Sequence, residues 1–260
     1  MKNHLLLICS ILTLFVGCSP KKVEEKYFHL PYVYNSKVSG STHKQFFKVD
    51  FLVEDFPVFM GKYKFSDTID INPLKMDTSF LKDFKSEYEY RNIVDSLEVN
   101  GFELKTDYAQ TVYHNRYSDT IMGAYYPVYF INSTRTNKVF LGKDSYAFGI
   151  QEAEDTSEYP RWRPIESRGW DFCGNGNWAL VVKPGEFVVV LMKKYEGEYL
   201  TNLRVRFALG PNVYVSPPFA GRINKNQFYF HKDSNLKSTN GNYSFSVFYG
   251  AVPAEQKEVE

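Results

Sequence analysis

Leu180-Val181-Val182-Lys183-Pro184-Gly185-Glu186-Phe187-Val188-Val189-Val190-Leu191 decides the fold class. Two apolar, β-branched runs of strand length are separated by Pro-Gly, where proline presets φ for the first central turn position and glycine takes the positive φ of the second. The reading is strand, tight turn, strand. After Tyr195-Glu196-Gly197-Glu198 comes Tyr199 to Leu209, in which Leu203, Val205, Phe207 and Leu209 alternate with Asn202, Arg204 and Arg206. Period two with charge on one side predicts a half-buried strand of an antiparallel sheet, and the three runs together predict a meander.

Upstream, Tyr126-Pro127-Val128-Tyr129-Phe130-Ile131-Asn132, Val139-Phe140-Leu141 and the alternation through Tyr146, Phe148 and Ile150 add further strands. An acidic loop from Glu152 to Glu158 follows, and Val213-Tyr214-Val215 and Phe219 to Ile223 close the unit. Nearer the N-terminus, Tyr27 to Tyr34 reads as an edge strand because of Pro31. Phe47 to Val53, Val58-Phe59-Met60 and Thr68-Ile69-Asp70-Ile71 are strands too, and Asn100-Gly101 is a hairpin signal between Ile93–Val99 and Phe102–Tyr108. Residues 77–90 are the one helical candidate, capped by Asp77 or Thr78. Phe228-Tyr229-Phe230 and Tyr243 to Tyr249, with Asn240-Gly241 between them, predict a last hairpin.

The expected architecture is all-β: a tether over 18–26, a β-rich N-terminal unit over 27–122, an antiparallel β-sandwich over 123–250 with the C-terminal hairpin, and a tail over 251–260. At 260 residues there is ample material for a core. The 20 Tyr, 22 Phe and 3 Trp favour strands, where rings pack against cross-strand neighbours. Formal charge is +1, a balance that gives no basic surplus for nucleic acid.

The sandwich resembles bacterial immunoglobulin-like modules. It shares with them Ile131-Asn132 before a polar turn, Pro184-Gly185-Glu186 opening a long strand, and Gly197-Glu198-Tyr199 before the next, with Tyr199 as the corner tyrosine the resemblance implies. The Cys…Trp…Cys spacing of antibody domains is missing.

Met1 to His4 is short and mildly basic, and Leu5 to Val16 is an apolar run of twelve residues ending at Gly17-Cys18. Twelve are too few for a bilayer core, which takes about 20, and suit the apolar region of a secretory signal. Leu14-Phe15-Val16-Gly17-Cys18 resembles the lipobox of bacterial lipoprotein precursors, with Phe15 where such boxes usually carry Leu. The resemblance implies cleavage after Gly17, a diacylglycerol thioether on Cys18 and attachment to the cell envelope through that lipid. Ser19 resembles the residue of lipoproteins sent to an outer membrane. With Cys9 in the leader and Cys18 lipidated, Cys173 is the remaining thiol and no internal disulfide framework is expected.

For chemistry, His29, His43, His114 and His231 are scattered, without metal-ligand spacing, so neither metal nor cofactor is expected. Asp171-Phe172-Cys173-Gly174-Asn175-Gly176-Asn177 offers oxygens but lacks the carboxylates of a calcium loop, and a glycine-bearing turn is the simpler reading. Cys173 reads as a small buried hydrophobe. The acids of Glu152 to Glu158 read as solvated surface. No hydrolase elbow, phosphate loop or dinucleotide fingerprint is present, and no catalytic activity is expected. The predicted role is a non-catalytic binding or structural module of the envelope, with a glycan or another envelope protein as partner. Trp162, Trp170 and Trp178 are the candidate ligand residues, since rings on one face of a sandwich can stack on sugars. Core filling is their competing role. Asp67-Thr68-Ile69, Asp95-Ser96-Leu97 and Asp119-Thr120-Ile121 resemble O-glycosylation acceptors of Bacteroidota envelope proteins.

Overall fold

Strands that are apolar at nearly every position have no face to give to water, so they need cover on both sides. Ile121–Asn132 and Glu186–Lys193 are of this kind and form the centre of the computed structural model. The structure describes residues 27–38, 43–72, 78–86, 89, 100–115, 121–157, 159–169, 175–234, 236 and 245–254. It is an all-β, sandwich-like fold without a closed barrel.

In chain order the strands begin with β1 (Tyr32–Tyr34), β2 (His43–Gln45), β3 (Phe47–Lys48), β4 (Val53–Asp55), β5 (Val58–Lys64), β6 (Thr68–Asp70) and β7 (Phe84–Lys85). Then come β8 (Glu103–Thr106), β9 (Val112–His114), β10 (Ile121–Asn132), β11 (Lys138–Lys143), β12 (Tyr146–Ala147), β13 (Gly149–Asp155) and β14 (Arg161–Pro164). The last are β15 (Glu166–Arg168), β16 (Asn177–Val182), β17 (Glu186–Lys193), β18 (Tyr195–Glu196), β19 (Tyr199–Leu209), β20 (Asn212–Val215) and β21 (Phe219–Ile223).

The antiparallel pair β10–β17 runs in register from Tyr125↔Lys193 to Asn132↔Glu186. Even-numbered Tyr126, Val128, Phe130, Val188, Val190 and Met192 enter one core, shared with side chains of β11, β16 and β19. Odd-numbered Tyr125, Tyr129, Ile131, Phe187, Val189 and Leu191 enter a second, shared with Val33, Val58, Met60, Ile69 and Ile71. The period of two along a strand thus divides one strand pair between two cores. β5 flanks β17, a single bridge from Val58 to Tyr146 joins it to β12, and the sheet continues through β11, β16 and β7. A separate sheet runs β14–β13–β19–β20, with β21 also on β19.

Cross-strand glycines make room for rings. Gly142 lies opposite Trp178 and Gly149 opposite Phe207. A Cβ at Gly142 would stand 2.3 Å from the Trp178 ring, and one at Gly149 would stand 2.4 Å from the Phe207 ring.

Several expectations change. The Pro-Gly turn forms, with Gly185 at φ 76° and Glu186 N donating to Lys183 O at 3.0 Å. Its two strands do not form a hairpin: β16 pairs with β11 and β7, while β17 pairs with β10 and β5. β19 has the predicted alternation but pairs with β13, β20 and β21, so the meander is absent among the described residues. Strands from before and after residue 122 pair with one another. β5 sits between β17 and β12, and the chain from 43 to 55 lays β2 on β10, β3 on β18 and β4 on β15, each in parallel. A β10–β17 pair that is apolar on both faces draws cover from the N-terminal chain as well as from its own neighbours.

Within the helix expected over 77–90, Thr78–Asp83 form a 3-10 stretch that runs straight into β7, which pairs with β16, Glu89 is helical, and residues 77, 87, 88 and 90 lie outside the described residues. Phe228 and Phe245–Phe248 lie in 3-10 turns rather than in a last hairpin, and Phe230, Phe248 and Ala251 pack on Ile150. Ile93–Val99 and Asn240-Gly241 lie outside the described residues.

Where β16 and β17 diverge, Lys62 of β5 closes the gap. Its buried ammonium donates to Asp83 Oδ2 at 2.7 Å, Glu186 Oε2 at 2.6 Å and Val181 O at 2.9 Å. Lys183 reaches the same Asp83 carboxylate from outside at 2.9 Å. Burial pushes the Asp83 pKa up, but the hydrogen bonds and charges of Lys62 and Lys183 outweigh it and hold the group below its ordinary value. Removing a buried partner strands the other charges, whereas an exposed pair adds little. Lys62→Met is therefore expected to cost about 3–5 kcal/mol and Lys183→Ala under about 1 kcal/mol. Urea unfolding midpoints of the two variants check the contrast, and equal losses would contradict it.

Candidate functional site

Three stretches far apart in sequence meet around an open groove of about 560 Å³, lined by Lys48, Glu196, Gly197, Glu198, Tyr199, Asn224 and Lys225. The parallel register of β18 on β3 sets Glu196 opposite Lys48. Gly197 is required by a close approach, since a Cβ there would lie 2.0 Å from the carbonyl carbon of Ile223. On the far wall Asn224 caps the 3-10 turn Lys225–Phe228: its side chain accepts from Asn226 N at 3.0 Å, and Gln227 Oε1 accepts from Asn224 N at 2.9 Å. The Asn224 amide also donates to Asp50 at 3.3 Å.

Tyr199 supplies the aromatic ring of the lining. Its hydroxyl lies 3.0 Å from Thr156 Oγ1, and the Lys225 ammonium stands 5.5 Å over its ring. Its hydroxyl therefore joins the start of β19 to the loop after β13. Two carboxylates, two ammonium groups and an amide thus surround one half-buried ring, a set with no net charge and with donors and acceptors on every side. Such a site suits a neutral, hydroxyl-rich ligand better than a phosphate or a metal ion.

A second polar centre is sealed inside. Glu166 of β15 accepts from Gln151 N and Gln151 Nε2, both at 2.8 Å, and from the Tyr195 hydroxyl at 2.5 Å. Gln151 in turn accepts from the Tyr126 hydroxyl at 2.9 Å and donates to Lys193 O at 2.9 Å. Beside them Lys193 pairs with Asp55. Burial pushes the Glu166 carboxyl above its ordinary value, Asp55 adds to the rise, and the hydrogen bonds from Tyr195 and Gln151 oppose it. Both oxygens are engaged by protein groups, so this carboxyl holds β15 to β13 and β18, and Gln151 carries the link on to β17.

The acids read as a solvated loop are mostly architectural. Glu152 to Asp155 belong to β13, where Glu152 is buried against Arg204 at 2.7 Å and Arg206 at 3.2 Å. Asp155 pairs with buried Arg163 at 2.9 Å. The alternating arginines of β19 were the signal, and it is visible only once β13 and β19 are paired.

The two described tryptophans, Trp162 and Trp178, have different surroundings. Trp178 is a core residue: its Nε1 donates to Asp144 O at 2.9 Å, and its ring centroid lies 4.7 Å from that of Phe59 and 5.0 Å from that of Phe84. Its place in a strand buried between sheets rules out stacking on a ligand. Trp162 is half-buried, with the Arg204 guanidinium 4.2 Å over its ring. Trp170 lies outside the described residues, as do Gly17, Cys18 and Cys173. Gly176 takes φ 91° and lies against Asp144. Thr68 is exposed on β6, while Ser96 and Thr120 lie outside the described residues. The groove went unread because its members sit at 48, 196–199 and 224–225, and only Gly197-Glu198-Tyr199 stood out, as a strand start.

No family model matches the chain, and neither a curated protein nor a solved structure matches it.

Because burial raises the folded pKa of Glu166 above 4.5, the fold holds this proton more tightly than the unfolded chain. Its contribution is full at low pH and is lost as pH rises through the folded value. Glu166→Gln puts donors where donors already point, and is expected to cost about 1–3 kcal/mol near pH 5. The gap to the unsubstituted protein should narrow as pH rises, in chemical denaturation followed from pH 5 to 8. A gap independent of pH would show that the group titrates alike in both states.

Proposed function

We propose that the chain is an exported, lipid-anchored protein of the cell envelope whose β-fold serves as a non-catalytic binding module. In this reading the leader is cut after Gly17, Cys18 carries the lipid, and Ser19 directs the product to an outer membrane. Two or three acyl chains make such attachment effectively permanent, since each buried CH₂ adds about 0.8 kcal/mol. A rigid body on a tether is then available to whatever the envelope presents.

The observation that carries the binding role is the groove around Tyr199, with Lys48, Glu196, Glu198, Asn224 and Lys225 at its rim. Glu166, whose carboxyl burial raises, has both oxygens engaged, which supports an architectural role over an acid–base one. The balanced charge of the rim favours a carbohydrate as ligand, and the groove takes the place of the Trp162 to Trp178 segment as its site. A rim of donors and acceptors for its hydroxyls, set around an aromatic side chain, is what such a ligand needs.

Two measurements test this. Palmitate labelling of the full chain is expected, with complete loss in Cys18→Ser; a product that stays soluble and unlabelled would end the anchor reading. On a glycan array, followed by calorimetry with the best ligand, Lys48→Ala and Glu198→Ala are each expected to weaken binding by about tenfold, equivalent to about 1.4 kcal/mol. Binding that both variants leave untouched would place the ligand elsewhere.

A further inference from the structure

β1 inverts the usual pattern of an edge strand. Pro31 and Val33 turn inward, with Val33 in the second core. Leu30, Tyr32 and Tyr34, at every second position, face solvent with 49%, 62% and 40% of their surface exposed, and Tyr27 before them is 72% exposed. The Tyr32 and Tyr34 rings lie nearly parallel, 16° apart with centroids 6.0 Å from each other. An outward face of a small sheet is ordinarily polar, and large rings spread along it call for a partner.

The partner is not another strand. The side β1 turns away from β6 is capped by Gln110, whose Oε1 accepts from Val33 N and whose Nε2 donates to Pro31 O at 3.2 Å. A side-chain amide thus takes the place a β-strand would need. What remains is the outer face itself.

The covalent chain says what lies nearest. Eight residues, Ser19 to Lys26, separate Cys18 from Tyr27. Even fully extended, nine residue steps span roughly 30 Å. A lipid on Cys18 therefore keeps Tyr27, Leu30, Tyr32 and Tyr34, the first exposed large side chains of the described fold, close to the bilayer surface. Tyrosine is the residue suited to that boundary, with an apolar ring and a polar hydroxyl.

We infer that the outer face of β1, carried by Leu30, Tyr32 and Tyr34, rests in the interfacial zone of the bilayer that holds the Cys18 lipid, so that the protein lies against the membrane. The inference rests on the anchor reading above. The three side chains that make the contact, Leu30, Tyr32 and Tyr34, carry no charge, so anionic lipid and salt should matter little. Weak affinity is enough, because a short tether holds the face at millimolar effective concentration of its target.

The test uses the mature chain from residue 18 with Cys18→Ser, sedimented with vesicles of phosphatidylethanolamine and phosphatidylglycerol. Half-saturation at millimolar lipid is expected, little changed by salt. In Tyr32→Ser/Tyr34→Ser the bound fraction at equal lipid should fall at least about fivefold, with an unchanged unfolding midpoint because both rings face solvent. Absence of binding at millimolar lipid would overturn the inference, since the tether supplies no more than that, and so would equal binding by the variant. Binding to envelope polysaccharide instead of vesicles, lost in the same variant, would overturn it in favour of a glycan. Palmitate labelling stands apart: a chain that takes no lipid yet binds vesicles through this face ends the anchor reading alone.

Discussion

Two neighbouring strands without a polar face organise the whole molecule. β10 and β17 carry large side chains on both sides, and Tyr126, Val128, Phe130, Val188 and Val190 on one face and Tyr129, Ile131, Phe187 and Val189 on the other are fully buried. Each such side chain contributes about 1.5–3 kcal/mol when taken out of water. That gain is collected only if something covers each face. On one side the cover is β11, β16 and β19; on the other it is β1 and β6, with β5 continuing that face beside β17. The N-terminal chain is thereby drawn into the same body, and its strap from 43 to 55 touches three different sheets.

Stacking sheets in layers leaves seams where strands diverge, and the seams hold the buried charge. Lys62 stands where β16 and β17 separate, and Glu152 and Asp155 lie along β13. At each seam backbone groups or side chains of another element satisfy the ion, as they must at that depth. A buried charge of this kind has one acceptable position, which an apolar contact lacks, so these groups favour one register over the neighbouring ones. The carboxylates and ammonium groups left at the surface around Tyr199 have no such duty and are free in that sense to meet a ligand.

Strand positions were readable because period two and β-branched runs are local properties. The alternation over Tyr199 to Leu209 and the Gly185 turn appear as read. Partner choice was not readable. Pro-Gly between two apolar runs implies a hairpin only if the runs prefer each other, and here each finds an apolar partner elsewhere: Val139-Phe140-Leu141 for β16 and Tyr125 to Ile131 for β17. For Trp178 the local sequence leaves two roles open, core filling and a place in a ligand-binding cluster with Trp162 and Trp170, and the structure puts it in the core. Its fate depends on Gly142, far upstream in the chain, whose missing side chain leaves the space the indole fills. The acids from Glu152 onward looked solvated because the arginine partners of Glu152 lie far downstream, on β19.

The amino-acid order alone determined that this is a strand-built protein with an apolar run from Leu5 to Val16 closing on Gly17-Cys18, because those are properties of short windows in which each residue's environment is set by its near neighbours. The tertiary structure decided which strands pair, which carboxylates are architecture, that Lys48, Tyr199 and Asn224 share a groove, and that Leu30, Tyr32 and Tyr34 are left uncovered. Those outcomes depend on which apolar faces find one another across long stretches of chain, a competition among distant partners that no local window records.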